Sequence, residues 1–204
     1  MKVLVACECS GRVRDAFIAQ GHEAMSCDLQ PDESNGPHYQ GDVRDVLGAG
    51  WDLMIAHPPC TYLSRAGARW WKEPGRLEKA EMAAGFVRML WQADIEHIAI
   101  ENPIGQLNKM WRYPDQVIQP WWFGDPWTKA TCLWLKNLPP LMATCHANDA
   151  KPLLPSNTGA GKRAGQRWAK GAVHNAKDAS RTLPGIAKAM AHQWSSFLLE
   201  NKAA

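Results

Sequence analysis

Four side chains able to do chemistry stand directly behind short apolar runs: Glu8 behind residues 3–7, Asp28 behind 24–27, Cys60 behind 53–56 and Glu101 behind 98–100. Carboxylates and a thiol are what general acid–base and nucleophilic catalysis draw on. Cys60 is the sharpest of them, because Pro58 and Pro59 stiffen the backbone before it and hold the sulfur at a fixed height above a strand end. A free thiol is only a few per cent ionised near neutral pH, yet it is intrinsically a strong nucleophile; a buried, inert cysteine is the plainer reading. Each carboxylate has a similar pair of readings. Asp28 either meets a ligand or caps local structure, Glu101 is either an acid or a structural group bonded to backbone, and Glu8 either touches a ligand or is simply exposed. Asp42, in Gly41-Asp42, is also ordinary turn chemistry. His57 reads as a loop-packing residue rather than a base. Ser64 and Arg65 either contact a phosphate or are solvated. Cys7 with Cys9, and Cys145 with His146, lack a matching second pair, so no metal is expected.

The elements that must position these groups follow from periodicity. Residues 3–7 form a continuous apolar run, as a parallel strand covered on both faces requires. Val13, Phe17 and Ile18 then recur at helical spacing, Gly21 supplies a helix stop, and a second strand follows at 24–27, which makes a βαβ unit. A polar loop is expected through Pro31, Asn35, Gly36 and Pro37 to Gly41-Asp42. The strand at 53–56 must stop at Pro58-Pro59, since neither proline can donate to a ladder. A helix over 75–93 carries Leu77, Ala80, Ala84, Val87 and Trp91 on one face, and a strand at 98–100 ends in Glu101-Asn102-Pro103. Further strands are expected at 117–119 and 131–135, and a closing helix runs from 185 to about 199. This alternation predicts an α/β protein with a Rossmann-like, mainly parallel twisted sheet and helices on both faces. Such sheets bind ligands beyond the carboxyl ends of their strands.

The chain has 204 residues, 46% hydrophobic and 21% charged, enough for one well-buried core. A single domain over 1–204 is expected. No run approaches a membrane span, the first apolar run is too short for a signal peptide, and six scattered cysteines read as reduced thiols. A cytoplasmic address and no membrane partner are therefore expected. The net charge of +3 is uneven: residues 146–181 hold seven Lys/Arg, among them Lys162, Arg163 and Arg167, against two Asp, while residues 1–145 carry −3. A basic, Gly- and Asn-rich stretch of this kind suits phosphate contact, although a solvated linker has the same composition. Of the eleven tryptophans, most are expected in the core or capping it, with one or two free to stack on a base.

Pro58-Pro59-Cys60, followed some forty residues later by Glu101-Asn102-Pro103, resembles the DNA cytosine-5 methyltransferases in order and spacing. The resemblance covers most of the chain. It implies the S-adenosylmethionine-dependent methyltransferase fold, a Pro-Pro-Cys nucleophile at Cys60 and an acid at Glu101. It also implies cofactor contacts from Glu8, Gly11, Asp28, Asp42 and Pro58, with S-adenosylmethionine or a modified derivative as donor and cytosine-containing DNA as partner. Phe123-Gly124-Asp125-Pro126 is similar to the family's Tyr-Gly-x-Pro, and Pro184-Gly185-Ile186-Ala187 sits where a last cofactor-side segment belongs.

The chain also departs from that pattern. The family's Phe-x-Gly-x-Gly loop is here Ala6-Cys7-Glu8-Cys9-Ser10-Gly11, with one glycine. The Gln-x-Arg-x-Arg element reads Trp127-Thr128-Lys129-Ala130-Thr131, so Lys129 alone can stand in at the base, as a point charge without a planar fork. The family's large recognition domain is missing, and the basic, loop-rich segment 146–181 is left to take its place on DNA. The small size resembles minimal enzymes of bacteriophage or prophage origin in a bacterial host cell, with no obligate protein partner. The expected reaction adds Cys60 to cytosine C6, after which C5 takes a methyl group while Glu101, kept protonated by an apolar strand end, meets N3. Two other readings stay open: transfer from a modified donor or to a free nucleotide, and a non-catalytic DNA-binding protein of the same fold.

Overall fold

In the central strands successive side chains go to opposite faces, and both faces are apolar. Val3, Val5, Leu53, Ile55 and Ala99 join one buried cluster, whereas Leu4, Ala6, Met54, Ala56, Ile98 and Ile100 join another. A strand covered on both sides has no polar face, which is why these segments read as unbroken apolar runs. The computed structural model describes residues 1–153, 178 and 180–203. In chain order its elements are β1 (Lys2–Ala6), α1 (Arg12–Ala19), β2 (Glu23–Asp28), β3 (His38–Gln40), β4 (Leu53–Ala56), α2 (Arg76–Trp91), β5 (His97–Pro103), α3 (Leu107–Met110), β6 (Gln116–Ile118), β7 (Trp127–Thr128), β8 (Thr131–Lys136), β9 (Lys151–Pro152) and α4 (Pro184–Ala203).

Seven strands pair in the order β3-β2-β1-β4-β5-β8-β6. All neighbours from β3 to β5 are parallel, and β8 runs antiparallel to both β5 and β6. Side chains of α1 and α4 fill the first cluster, with Val13, Phe17, Met190 and Trp194 buried there. The α2 residues Ala84, Val87 and Leu90 and the α3 residue Leu107 fill the second. Helices therefore cover both faces, and with one reversed strand next to the sheet edge this is a Rossmann-like, mainly parallel α/β fold.

Three expectations change. Residues 31–42 are not all loop: His38–Gln40 adds a short edge strand to β2, in register Ser26 to His38, too brief and polar to show a strand period. Strand β5 does not stop at Ile100. It continues through Glu101 and Asn102 to Pro103, because β8 offers antiparallel partners Leu133, Cys132 and Thr131 to those three residues. Leu77, read as part of the apolar face of α2, is 62% exposed, and the buried face is Ala80, Ala84, Val87 and Leu90. The tryptophans fully buried among the described residues are Trp134 and Trp194, while Trp70 is 43% exposed and Trp71, Trp121, Trp122 and Trp127 are half-buried. A second small sheet, β7 with β9, was not foreseen, as two-residue strands carry no period.

Candidate active site

The β4–β5 ladder sets a fixed offset of 44 residues, from Leu53 opposite His97 to Ala56 opposite Ile100. Continued past the end of β4, that offset places His57 beside Glu101 and Pro58 beside Asn102, and side-chain bonds form at both rungs. His57 Nδ1 lies 3.0 Å from Glu101 Oε2, and Asn102 Nδ2 donates to the Pro58 carbonyl at 2.8 Å. The proline-braced segment is thus tied to the β5 end by a buried amide, Asn102 being 1% exposed. Two buried polar atoms here, His57 Nε2 and Asn102 Oδ1, have no hydrogen-bond partner among the described residues.

Beyond the prolines the chain turns tightly. The Cys60 carbonyl accepts from Leu63 N at 2.9 Å and Ser64 N at 2.8 Å. Arg65 N donates to the Ile104 carbonyl at 3.0 Å and Gln106 N to that of Leu63 at 2.7 Å, so the turn is sewn to the segment leaving β5. Gly105 permits this seam: a Cβ there would lie 1.9 Å from the Leu63 carbonyl oxygen. Ser64 and Arg65 both belong to the seam. Their backbones do the pairing, Ser64 through a bridge to Gly105, while Arg65 presents its side chain to solvent.

Charge couples the groups that the strands collect. Burial pushes the Cys60 thiol above its ordinary value, the Glu101 carboxylate adds to that, and Lys129 opposes it. For Glu101, burial alone would raise the carboxyl. The His57 hydrogen bond and the Lys129 charge outweigh it and hold the group below its usual value. The expectation of an acid kept protonated by an apolar strand end changes: Glu101 is 8% exposed, but the His57 donor and the Lys129 charge favour its ionised form. Lys129 acts on both Cys60 and Glu101. It precedes β8, whose reversed direction returns the chain to the same edge, and its backbone N–H is fixed by Gln119 Oε1 at 3.0 Å. Cys132, on β8, also feels Glu101; burial first and that carboxylate second push its thiol up to about 11.

A cavity of about 180 Å³ opens beyond the ends of β1, β2 and β4, with Asp28, Asp42, Leu29, Val43, Pro59 and Phe86 among its walls. Asp28 Oδ1 accepts from Gln30 N at 2.8 Å, and Asp42 accepts from Arg44 N at 3.0 Å at the start of a 3-10 turn. Cys7 lines the same cavity and adopts φ +59°, where a left-handed backbone is uncommon for a side chain of any size. Burial first, then Asp28, Cys27 and Asp42, pushes its thiol up to about 12.

Glu8 and Gly11 serve local structure at the start of α1. Glu8, 6% exposed, accepts from Val13 N at 2.9 Å, Arg14 N at 3.3 Å and Ser10 Oγ at 3.0 Å, closing the start of α1. Gly11 has φ +71°, and a Cβ there would lie 2.3 Å from Arg14 Nη2. Arg14 itself is fully buried. Asp125 Oδ2 accepts from Gly185 N at 2.8 Å, so the two motif segments 123–126 and 184–187 meet. Pro58 holds Asn102 through its carbonyl, as above. Lys162, Arg163 and Arg167 lie outside the described residues.

The contact between His57 and Glu101 was not foreseen from the sequence. Its signal was present in the constant separation between the two strand ends, which makes His57 the cross-strand neighbour of Glu101 once β4 and β5 are paired in parallel. Among the described residues no helix is long and apolar enough to cross a membrane.

No protein-family model matches the chain, and no curated protein matches it in sequence. Among solved structures it is similar to the Dnmt2 methyltransferase of S. pombe, with TM-score 0.47 and 15% identity over 69% of this chain and 51% of that one. It is also similar to the Entamoeba histolytica methyltransferase EhMeth, with TM-score 0.46 and 14% identity over 78% of this chain and 61% of that one. The chain therefore spans between half and two-thirds of the length of those two structures.

Proposed function

We propose that this chain is an S-adenosylmethionine-dependent cytosine C5 methyltransferase acting on DNA, with Cys60 as nucleophile and Glu101 as acid. The observation that carries the reading is the meeting of a proline-braced thiol, a buried carboxylate and one lysine charge felt by both, at the carboxyl edge of a parallel sheet. The cavity beside it fits the donor: Asp28 can accept from ribose hydroxyls, Asp42 lies further along the wall, and Leu29, Val43 and Phe86 offer apolar surface to a purine. When bound, the donor supplies an electrophilic methyl group.

Cytosine C5 is too weak a nucleophile to take that group unaided. A sulfur adding at C6 makes C5 an enamine carbon, which splits one hard step into two. Over the neutral range the raised thiol and the lowered carboxyl share one proton, resident on sulfur. As the S–C6 bond forms, the S–H bond breaks, and the proton passes to Glu101, which then donates to N3, where charge develops. Lys129 steadies the negative charge at whichever partner holds it. A target base in duplex DNA must first leave the stack, at a cost of about a few kcal/mol. The basic segment 146–181, with Lys162, Arg163 and Arg167, together with Arg65, supplies charge suited to the backbone. A bacteriophage or prophage setting in a bacterial cytoplasm, and a single catalytic domain, complete the reading.

DNA carrying 5-fluorocytosine is the test. In the presence of S-adenosylmethionine the wild-type protein is expected to form a denaturation-resistant adduct that Cys60→Ala does not. No adduct, or one that survives in Cys60→Ala, removes the mechanism; transfer of label to a deoxycytidine nucleotide but not to DNA moves the substrate.

A further inference from the structure

We infer that His57 is a positioning residue for the acid: its Nδ1–H holds the Glu101 carboxylate at the end of β5 and so fixes both the orientation and the charge with which that group enters the reaction. The inference rests on the cytosine C5 reading above and deepens it at the same site.

The geometry is specific. His57 and Glu101 are 44 residues apart and lie side by side because the β4–β5 register runs on past β4. Both side chains are 10% exposed, so neither is held in place by solvent. An ionised carboxylate has only acceptor oxygens, so the 3.0 Å contact requires the proton on His57 Nδ1. The other ring nitrogen, Nε2, is buried with no partner among the described residues. A residue needed only to fill space would be apolar, since an unpaired buried nitrogen destabilises a core. Local rules broken in this way mark sites where chemistry was favoured over stability.

Among the described residues four ionisable groups couple electrostatically to Glu101: His57 from the end of β4, Cys60 from the turn beyond it, Lys129 from the segment before β8, and Cys132 from β8 itself. The two thiols disfavour charge on the carboxyl when ionised, and Lys129 favours it at a distance. Among the described residues His57 alone makes a hydrogen bond to the carboxyl. Remove that bond and only Lys129 is left to oppose burial at Glu101, so the carboxyl midpoint rises and the thiol and carboxyl hold two protons between them up to a higher pH. One must then leave before sulfur can hand its proton across.

Three measurements on the full chain test this. In wild-type protein, nitrogen NMR of His57 is expected to show the Nδ1–H tautomer; the Nε2–H tautomer overturns the inference without any variant. With 13C-labelled glutamate, the Glu101 carboxyl midpoint is expected to move to higher pH in His57→Leu and return toward wild type in His57→Asn, whose amide restores the donor. The acid limb of adduct formation on 5-fluorocytosine DNA is expected to move with it, leaving His57→Leu roughly tenfold slower near the wild-type limb. A folded His57→Leu with midpoint and limb both unmoved overturns the inference. Failure of wild-type protein to make a Cys60-dependent adduct instead counts against the reaction, and the tautomer and carboxyl midpoint then judge the His57–Glu101 pairing by themselves.

Discussion

Asp28 and Glu8 both follow a buried strand, yet they do opposite things. Glu8 spends its oxygens on three donors at the start of α1. Asp28 accepts one backbone bond and borders the cavity. Residue type cannot separate a helix-closing carboxylate from a cavity-lining one; the direction of the next few residues decides it. For the proposed donor site, Asp28→Asn keeps the shape and the Gln30 contact but removes the charge. Calorimetry is expected to show S-adenosylmethionine binding weakened about tenfold, roughly 1.4 kcal/mol. An unchanged affinity would exclude Asp28 from the donor's contacts. The same blindness applied to His57 and to the charge of Glu101. The apolar run before Glu101 suggested a dry acid, but the histidine and lysine that decide its charge arrive from 44 residues before it and 28 residues after it in the sequence.

At the scale of elements, the sheet was legible because its strands are buried on both sides and interrupted by abrupt stops. Pro58-Pro59 ended β4 at Ala56 as expected. The short strands were not legible: β3, β7 and β9 have three, two and two residues, and pairing rather than pattern makes them strands. Nor was the seam behind Cys60, since a glycine reads only as permission to turn. Its necessity is steric. Gly105→Ala would drive a methyl group into the Leu63 carbonyl and push the 60–64 turn away from β5. The variant is expected to fold, with stability lowered by about 1–3 kcal/mol. Because a displacement of about 1 Å at a reacting group costs on the order of a hundredfold in rate, adduct formation should fall by about that factor. A variant that keeps full activity would show that the seam does not position the thiol.

For the whole molecule, Arg14 is the joint between the first βαβ unit and the loop that follows it. It bonds Asp15 at 2.8 Å, Asp32 at 2.7 Å and Ser26 Oγ at 2.7 Å, and also reaches Ser34. Gly11 and Gly36 leave room for it, a Cβ at either position falling 2.3 Å from its guanidinium. Arg14→Met is expected to lower stability by about 3–5 kcal/mol in denaturant unfolding, since Asp32 and Ser26 lose a buried partner. Burial would raise Asp32, but the Arg14 and Gly36 hydrogen bonds hold its carboxyl below the ordinary value. With a folded value below the unfolded one, this stabilisation is complete above about pH 4 and disappears as pH falls through the folded value. Arg14→Met should therefore flatten the acid side of the stability curve, and an equal acid dependence in both proteins would contradict that. The equal rungs at the end of β4 carry a kinetic consequence as well. His57 and Glu101 are distant along the chain and become neighbours only when the middle of the sheet has zipped, an event delayed by the entropy of closing so long a loop. During refolding, the adduct-forming competence proposed for Cys60 would then return only once β4 and β5 have paired, and not in collapsed states that precede that pairing.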